Sequence, residues 1–547
     1  MRVLPGLTRH NLARESAAGI TLLAIAVPLN IGYAQIAGLP PTAGLYALVL
    51  PGVVFALLAS SRQLVASPDA AAAALVASSI GALAVAGSDD YLAFALAQAI
   101  IGGVIFLVCA VFKLGFLANF LSEPILIGFV GGLALDILVS QIAKMLGVSI
   151  DSGAEFAAKV GQLLGGLGTT NLWSLALAAA AVLVLMGGRR LAAQVPWALV
   201  VLVVGTVVVV LAGLEERGVK VLGPVEAGAP KLTWPALSWG EWGALVPSAA
   251  ALTLVAMAEG LLVSRKYGQK RGYTTNPNRD LLAFGVSNIA SGFTGGFTVG
   301  SSTSRTAATD QLGSRTQLPT LVAAVGTLLL LVFGTGLLEH IPSPAIGAIV
   351  AVAVLPLLGF AELADLWRVR RFEFAVGAAC FLGTLLLGPI AGIVLAFVLS
   401  LLNLALRASR PPVDLLSRTD IPDGSLLPLD PGQYLTAPGV VVVRFAAPLF
   451  FANAAVFDEA VRKAVAGGRP LGLKYLVLDC EAITDIDVTG AKAFREVVEW
   501  LASQHVTLHL SRVRPDLLKV LHRFDLRADL KIHGTNRQAL QALSRDD

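Results

Sequence analysis

The stretch from Gly300 to Gly313, GSSTSRTAATDQLG, holds the residues of this chain that are best suited to bind an anion. It contains a run of hydroxyl residues and then one arginine: Ser301, Ser302, Thr303, Ser304 and Arg305. The stretch is too polar and too short to cross a bilayer as an ordinary helix, although long hydrophobic segments flank it. A short helix that begins inside a membrane presents free N–H groups, and these groups together with a cation attract an anion. We therefore predict an anion site here, with a purely structural Arg305, bonded to backbone carbonyls or extended to the interface, as the alternative.

A second short helix is predicted to begin at Ser67, Pro68 and Asp69. Serine is favoured as the N-cap of a helix and proline as its first residue, so these three residues are expected at the N-cap, first and second positions. The sequence continues as AAAAALVASSIGALA, whose small residues allow close approach of neighbouring backbones. If both short helices begin in the middle of the membrane, two positive helix ends meet, and the N–H groups of Ala70 and Thr303 face one anion. The alternative is an ordinary helix start at the cytoplasmic edge of the membrane.

Glu259 lies in the apolar segment ALTLVAMAEGLLVSR. A carboxylate at membrane depth does not stay ionised without a partner, and acidic groups in such positions commonly carry protons. We predict Glu259 as the proton carrier, with an ion pair to Arg305 or a sodium site as the alternatives. Three further acidic residues are weaker candidates and are compatible with interfacial or packing roles: Glu123, Asp136 and Asp310.

The composition defines a membrane protein. Of the 547 residues, 56% are hydrophobic and only 14% are charged, and the mean hydropathy is +0.77, whereas soluble domains carry about a quarter charged residues. The net charge of +4 is small and its cations fall in short loops, so nucleic acid is not expected as a partner. Cys109, Cys380 and Cys480 lack metal or redox spacing and are expected as isolated buried thiols. No cofactor, metal site or nucleophile–base set is predicted, so the chain is not expected to be an enzyme.

Fourteen apolar segments are predicted, and an even number places both ends of this region on one side of the membrane. They lie near 16–36, 42–60, 68–86, 91–112, 117–140, 172–187, 195–214, 244–263, 281–298, 302–313, 317–338, 343–359, 372–387 and 389–407. With residues 1–15 in the cytoplasm, the inside connections hold these basic residues: Arg62, Lys113, Arg189, Arg190, the Arg265 to Arg271 cluster, Arg315, and Arg368 to Arg371. The outside connections hold Asp89, Asp90 and the mixed loops 141–170 and 214–243.

Each half of the transmembrane region 16–407 contains the same arrangement: a segment with a polar centre, followed by a short segment that begins with polar residues. Pro28 precedes Pro68 by 40 residues in the repeat of about 16–214, and Glu259 precedes Ser302 by 43 residues in the repeat of about 244–407. Because each repeat has seven segments, the second copy is inverted relative to the first. Inverted repeats with interrupted helices are typical of secondary transporters that bind their substrate near the midplane.

Residues 437–547 predict a separate cytoplasmic α/β domain. The stretches GVVVVRF, KYLVLDC and VTLHLSRV are typical of buried strands, and residues 453–465 and 491–503 are typical of amphipathic helices. The preceding residues 408–436 are rich in proline, aspartate and glycine, so we expect a linker there.

Two runs of sequence resemble the SLC26/SulP anion transporters. They are AVPLNIGYAQIAGLPPTAGLYALVLPGVVFALLASSRQLVASPDAA and EGLLVSRKYGQKRGYTTNPNRDLLAFGVSNIASGFTGGFTVGSSTSRTAATDQLGSRTQ, and the tail resembles the STAS domain of that family. The resemblance implies a polytopic α-helical fold of fourteen transmembrane segments in a 7+7 inverted repeat, with core and gate domains and a cytoplasmic STAS domain. It also implies a homodimer, with the anion bound between the third and tenth helices.

The sequence departs from the family pattern at two places. The family usually has Pro-Gln in the first helix, whereas this chain has Pro28-Leu29, and we expect Asn30 to compensate. In the STAS domain, Val488 replaces the phosphorylatable serine of the family motif, so Thr489 is expected to be a helix N-cap rather than a modified residue. Sodium-dependent members have a hydroxyl one turn after the acid in the eighth segment. Here Val263 follows Glu259 at that spacing, which favours protons over sodium.

The function predicted from these features is secondary active anion transport by an elevator-like alternating-access mechanism, in the cell inner (plasma) membrane. The favoured substrate is a dicarboxylate such as fumarate, carried in symport with protons. The alternatives within the family are sulfate or bicarbonate as substrate, sodium as the coupling ion, and exchange instead of symport. Two other classes are less favoured: a nucleobase permease and a membrane sensor whose output is the STAS domain.

Overall fold

The computed structural model describes residues 4–81, 83–116, 122–151, 154–192, 195–417, 426–430, 432–526 and 530–544. The chain divides into two compact units, Met1–Ser400 and Leu401–Asp547, and each is described on its own. The first unit is α-helical apart from two very short strands, and the second is an α/β domain.

The helices of the first unit follow the predicted apolar segments. They are α1 (Leu12–Ile36), α2 (Pro41–Leu58), α3 (Ala70–Ile80), α4 (Asp89–Val111), α5 (Glu123–Leu146), α6 (Phe156–Gly165), α7 (Leu172–Leu191), α8 (Trp197–Ala212), α9 (Trp239–Arg271), α10 (Pro277–Phe293), α11 (Thr303–Gln311), α12 (Leu318–Phe333), α13 (Ser343–Val354), α14 (Phe360–Val369), α15 (Arg371–Leu387) and α16 (Pro389–Ser409). Each of the fourteen predicted segments coincides with one of these helices, and α6 and α14 are additional short helices. Among the described residues, seven helices are long and apolar enough to cross a membrane by themselves.

The ends of the long helices are fixed by local sequence signals. Helix α9 begins at Ser238 in a capping box with Glu241, whose carboxylate accepts from the Ser238 N–H at 2.7 Å. It ends at Gly272, which has a left-handed φ of 72° that glycine adopts without strain. Helix α10 follows at once, with Asn276 as its N-cap and Pro277 as its first residue.

A two-stranded crossing lies at the centre of the first unit. Strands β1 (Ala66–Ser67) and β2 (Gly300–Ser301) are antiparallel and pair Ala66 with Ser301 and Ser67 with Gly300. Helix α3 follows β1 and helix α11 follows β2 after very few residues, so the two short helices leave the crossing in opposite directions. This is the geometry expected of interrupted helices in an inverted repeat.

The helices of the first unit pack in two groups. Helices α1, α2, α4, α9, α10 and α12 pack against one another, and α5, α7, α8, α13 and α15 form the second group. Helices α1 and α3 contact α13 and α5 across the boundary between the groups. Packing within the second group is close, because a Cβ atom at Gly128 of α5 would lie 2.0 Å from the carbonyl oxygen of Gly377 in α15. The two groups correspond to the expected core and gate.

The second unit is a six-stranded sheet covered by helices. Its strands are β3 (Val413–Ser417), β4 (Leu427–Pro428), β5 (Val440–Phe445), β6 (Tyr475–Asp479), β7 (Thr507–Ser511) and β8 (Lys531–His533), in the order β4-β3-β5-β6-β7-β8. Its helices are α17 (Ala454–Gly468), α18 (Val488–Ser503), α19 (Pro515–Arg523) and α20 (Asn536–Leu543). Strands β5 to β8 are parallel, which confirms the predicted α/β class. Strand β3 lies inside the stretch 408–436 that the sequence predicts as linker, and it pairs with β5.

Candidate functional site

The start of α11 is held in place by buried hydrogen bonds to its neighbours. Asn288 of α10 donates its side-chain amide to the Val299 carbonyl and accepts from the Val299 N–H, both at 2.9 Å. The Ser302 N–H donates to the Val65 carbonyl at 3.0 Å, and Ser302 is the N-cap of α11. The helix therefore begins at a fixed point beside β1 in the interior of the first unit.

Arg305, the third residue of α11, is only 1% exposed. Its Nε donates to Ser302 Oγ at 2.8 Å, and its Nη2 donates to the Pro68 carbonyl. Its Nη1 is buried and has no hydrogen-bond partner among the described residues. The guanidinium carbon lies 5.8 Å from the centre of the Tyr33 ring, within cation–π range. Arg305 thus makes the backbone bond of the structural alternative and still keeps one donor free.

Three other buried polar atoms also have no partner among the described residues: Ser67 Oγ and Ser301 Oγ in the paired strands, and Asn30 Oδ1 on α1. Buried polar groups in native proteins almost always have a hydrogen-bond partner, so such a group of free atoms is suited to bind a ligand. The two hydroxyls and the free Nη1 of Arg305 are donors. Asn30 already donates its amide to the Ala26 carbonyl at 2.7 Å, so its free atom is an acceptor. Asn30 therefore does not present its free atom as a donor to an anion.

The first turn of α11 adds backbone donors. The N–H groups of Thr303 and Ser304 have no partner in the described part of the chain, as expected for the first turn of a helix. Both side chains are exposed, unlike those of Ser301, Ser302 and Arg305 around them. The free N–H groups and the guanidinium lie in one helical turn, and together they carry the positive end of the helix dipole.

The predicted start of α3 is wrong by two residues. Asp69 is the N-cap, because its Oδ1 accepts from the Ala72 N–H at 2.7 Å. Ser67 lies in β1, and Pro68 precedes the cap and gives its carbonyl to Arg305. Ala70, whose N–H was expected to face the anion, is the first residue of the helix and is buried. The N-terminus of α3 therefore already has a carboxylate, whereas that of α11 does not.

Glu259 is partly buried on α9, beside the crossing. A Cβ atom at Gly300 would lie 2.5 Å from Asp69 Oδ2 and 3.8 Å from the Cβ of Ala256, which is three residues before Glu259. The carboxyl groups of Glu259 and Asp69 are close enough to interact electrostatically. No ion pair joins Glu259 to Arg305 among the described residues, so the alternative in which these two side chains pair is not observed.

The weaker acidic candidates have structural positions. Asp310 binds Lys270 at 2.9 Å and Arg271 at 2.7 Å at the end of α11, and Asp136 binds Lys159 at 2.8 Å. The third, Glu123, is exposed in the first turn of α5. These ion pairs connect neighbouring elements, so the carboxylates of Asp310 and Asp136 have no free charge for a substrate.

Sequence reasoning missed two buried positioning carboxylates and one aromatic residue. Glu15 of α1 accepts from Ser314 Oγ and the Arg315 N–H, both at 2.7 Å, and so holds the segment after α11. Asp280 of α10 accepts from the Ser60 N–H at 2.7 Å and so holds the segment before β1. Tyr33, beside Arg305, lies in the IGYAQIAG run that carries the family resemblance, and that run was the available signal.

In the second unit, Asp487 is the N-cap of α18 and accepts from the Gly490 N–H at 2.7 Å. Thr489 is the second residue of the helix, so the prediction that it is the cap is wrong. Val488 is 75% exposed at the first position, where the family motif has a serine.

The first unit has the architecture of a secondary transporter, because two short helices leave a buried crossing that holds a free guanidinium donor and free hydroxyls. The profile of the Sulfate permease family matches residues 12–380, and that of the STAS domain matches residues 433–539. The chain belongs to the Sulfate permease family, the SulP/SLC26 transporters, and carries a STAS domain. It is a multi-pass membrane protein of a transporter family, with a cytoplasmic STAS domain.

Curated relatives and solved structures agree with this assignment. A probable sulfate transporter of Mycobacterium tuberculosis is 33% identical over 518 residues, which cover 95% of this chain and 92% of that protein. Sulfate transporter 3.1 of Arabidopsis thaliana is 28% identical, with 94% of this chain and 82% of that protein covered. The murine Slc26a9 anion transporter in its inward-facing state has a TM-score of 0.88 at 22% identity, with 99% of this chain and 92% of that chain covered. The transmembrane domain of the cyanobacterial bicarbonate transporter BicA has a TM-score of 0.63 at 23% identity, with 72% of this chain and 100% of that chain covered.

Proposed function

We propose that this protein imports sulfate in symport with protons and that Arg305, Ser67, Ser301 and the first turn of α11 bind the anion. The observation that carries the proposal is the free, buried Nη1 of Arg305, which follows a strand pair whose two serine hydroxyls, Ser67 Oγ and Ser301 Oγ, are also buried and unpartnered. Sulfate replaces a dicarboxylate as the favoured substrate, because the relatives with similarity along most of the chain are named as sulfate transporters.

The charges around the crossing support coupling to protons. Arg305 contributes one positive charge, whereas Asp69 and Glu259 contribute two negative charges when both are ionised. A divalent anion would then meet a site of the same sign as its own charge. Proton uptake by a carboxyl group removes this repulsion, so proton binding and anion binding strengthen each other. We assign the transported proton to Glu259, because the carboxylate of Asp69 already accepts a hydrogen bond as the N-cap of α3.

The proposed cycle is alternating access. The core group of helices carries the crossing and its anion past the gate group, as in an elevator, and a homodimer would keep the gate groups fixed.

The substrate screen that tests this proposal uses proteoliposomes loaded at one pH and diluted into another. We expect radiolabelled sulfate to accumulate when the outside is acidic, and fumarate and bicarbonate to compete weakly. Accumulation driven by a sodium gradient, or uptake that requires an internal anion, would replace symport with protons by the sodium or exchange alternative.

The role of Glu259 is tested by Glu259→Gln, which keeps the shape of the side chain and removes its proton. We expect this variant to lose uphill, pH-driven sulfate uptake while it retains downhill sulfate flux. Glu241→Gln is the matched control on the same helix, because glutamine preserves the capping box at Ser238. If Glu259→Gln still accumulates sulfate against its gradient, the proton is carried elsewhere.

A further inference from the structure

A polar cavity that the crossing residues do not line lies on the side of the first unit that the predicted topology places outside. Its volume is about 320 Å³, and it separates α1 and α3 from α5, α6 and α15. Helices α1, α3 and α5 end on the outside in the predicted topology. Its inner wall includes Ala74, which is one helical turn beyond Ala70 at the start of α3. The cavity therefore extends from the outer surface toward the crossing.

Lys144 of α5 is the uncompensated cation of this cavity. Its Nζ donates to Gln35 Oε1 of α1 at 3.1 Å, and no carboxylate lies within ion-pair distance of it in the described part of the chain. An amide acceptor brings no negative charge, so the ammonium group of Lys144 has no counter-charge among its hydrogen-bond partners and is suited to bind an anion.

The other charges that line the cavity largely cancel. Both carboxylate oxygens of Asp136 accept from Lys159 Nζ, at 3.0 and 2.8 Å, and Lys159 is buried. Glu155 lines the same cavity but is exposed, where solvent screens its charge. The buried part of the cavity consequently has a net positive charge from Lys144.

Gln141, one turn before Lys144, gives an independent indication of a ligand. It lines the cavity and its side chain is fully buried, yet neither amide atom has a hydrogen-bond partner among the described residues. A buried amide without a partner is costly, so its N–H donor is suited to bind an oxyanion beside the Lys144 ammonium.

We propose that this cavity is a second, outer binding site for the transported oxyanion, with Lys144 and Gln141 as its principal ligands. The inference rests on the proposed function, because it takes the same anion for both sites. The anion would bind here from the outside before it reaches the crossing one turn of α3 further in. Lys144 also bonds α1 across the boundary between the two helix groups, so the site lies where these groups must separate.

Occupancy is tested without transport by Ser78→Cys, which places a thiol in the cavity wall. The native cysteines are buried, so a membrane-impermeant maleimide added outside reports on the new thiol. We expect sulfate to slow its labelling severalfold in the Ser78→Cys protein, and to have no effect when Lys144→Gln is added. Protection should persist when Arg305→Ala is added, because the two sites are separate. Labelling that sulfate does not slow, or protection that survives Lys144→Gln or disappears with Arg305→Ala, overturns the proposal, whether or not the protein transports sulfate.

The second measurement is the KM for sulfate, determined separately for sulfate added outside and inside. We expect Lys144→Gln to raise the KM for external sulfate about tenfold and to leave the KM for internal sulfate unchanged, with Lys144→Arg close to wild type. Glu155→Gln, at an exposed position with little folding risk, should lower the external KM about two- to fivefold. An unchanged external KM in Lys144→Gln overturns the outer site, whereas wild-type protein that shows sulfate protection but no sulfate flux overturns only the proposed function.

Discussion

In the proposed function, Arg305 combines a structural and a ligand-binding role in one side chain. Its Nε and Nη2 connect the start of α11 to Ser302 and to the Pro68 carbonyl, and this fixes the direction of the guanidinium. The planar fork of arginine leaves Nη1 for a ligand once the other two nitrogen atoms are bonded. The single ammonium group of a lysine at this position could not bond both the backbone carbonyl and the anion in the same fixed geometry, so arginine and lysine are not equivalent here.

Substitution of Arg305 is therefore expected to weaken sulfate binding more than it destabilises the fold. Loss of a hydrogen bond to a charged group costs about 1.5–3 kcal/mol, so Arg305→Ala should raise the KM roughly ten- to hundredfold, and Arg305→Lys should be intermediate. The measurement is initial sulfate uptake in proteoliposomes, with Lys266→Ala, an exposed cation on α9, as the control. An unchanged KM in folded Arg305→Ala would assign the arginine a structural role alone.

Residue types identified the donors of the site but not their exact positions. Serine and aspartate are both good N-cap residues, and proline is favoured at the first helical position, so local rules selected Ser67 as the cap of α3. The structure places Ser67 in a strand that pairs with Gly300, far along the chain, and this leaves Asp69 as the cap. Such a long-range pairing has no local signal, which is also why the proximity of Tyr33 to Arg305 was not predicted.

At the scale of elements, the two short helices depend on how closely β2 approaches the start of α3. A Cβ atom at Gly300 would lie 2.5 Å from Asp69 Oδ2 and in ordinary contact with Ala256 of α9, so a side chain there would have to displace the Asp69 carboxylate. The spacing of the crossing is therefore set by one glycine in a strand, a position where glycine often marks close backbone approach.

Gly300→Ala is expected to displace the carboxylate of Asp69 from its capping position. The new Cβ would lie 2.5 Å from Asp69 Oδ2, and loss of an N-cap costs about 0.5–2 kcal/mol. We expect a lower melting temperature of the purified protein and reduced sulfate uptake. Gly187→Ala on α7 is the control, because nothing lies within 4 Å of a Cβ atom there. Equal melting temperatures for the two variants would show that the crossing tolerates a side chain at Gly300.

Strands β7 and β8 carry a histidine pair whose protonation affects stability. His509 Nδ1 lies 2.9 Å from His533 Nε2, and the two rings stack. Burial, followed by the charge of Lys531, lowers the pKa of His533 below its usual value. The folded state thus holds the proton less tightly than the unfolded state, so this contribution to stability is fully present above the unfolded pKa of about 6.5 and is lost as the pH falls below it through the lower pKa of the folded state.

We therefore expect the urea midpoint of residues 411–547, produced alone, to fall between pH 7.5 and pH 5.5. His533→Gln should reduce this pH dependence, whereas His505→Asn, at an exposed left-handed position that asparagine tolerates, should not. The pH series is followed by circular dichroism. A pH dependence that is identical in His533→Gln and in the unmodified fragment would remove the histidine pair as its cause.

At the scale of the whole molecule, each of the fourteen predicted segments coincides with a helix of the described residues, and hydropathy located the long ones because the bilayer requires long apolar runs with satisfied backbones. Helices α6 and α14 were missed, since a short helix outside the apolar core has no such requirement. The boundary of the second unit was also misplaced. Proline, aspartate and glycine in 408–436 indicated a linker, but β3 within this stretch gains its stability from pairing with β5.

The corrected boundary predicts which fragment of the second unit folds. Residues 411–547 include β3 and should give a stable soluble domain, whereas residues 437–547 lose β3 and expose one edge of β5. We expect the shorter fragment to have a lower urea midpoint and to aggregate more readily. Equal midpoints for the two fragments would place the boundary at residue 437 after all.

The same boundary applies to transport. Protein truncated after Ser409 should keep some sulfate uptake, and complete loss of uptake would favour the sensor alternative.

The crossing of β1 and β2 also determines the order in which the protein can be assembled during synthesis. Helix α3 has 11 residues, which is about 16 Å at about 1.5 Å per residue, and the hydrocarbon core is about 30 Å thick. Gly300, the strand partner of Ser67, follows it by 233 residues, which a ribosome needs roughly 12–47 s to add at about 5–20 residues per second. Until then the backbone of β1 has no pairing strand inside the bilayer, a costly state for a peptide group. The crossing thus forms only after helices α1 to α10 have been made, and a nascent chain that stalls before residue 301 cannot complete it.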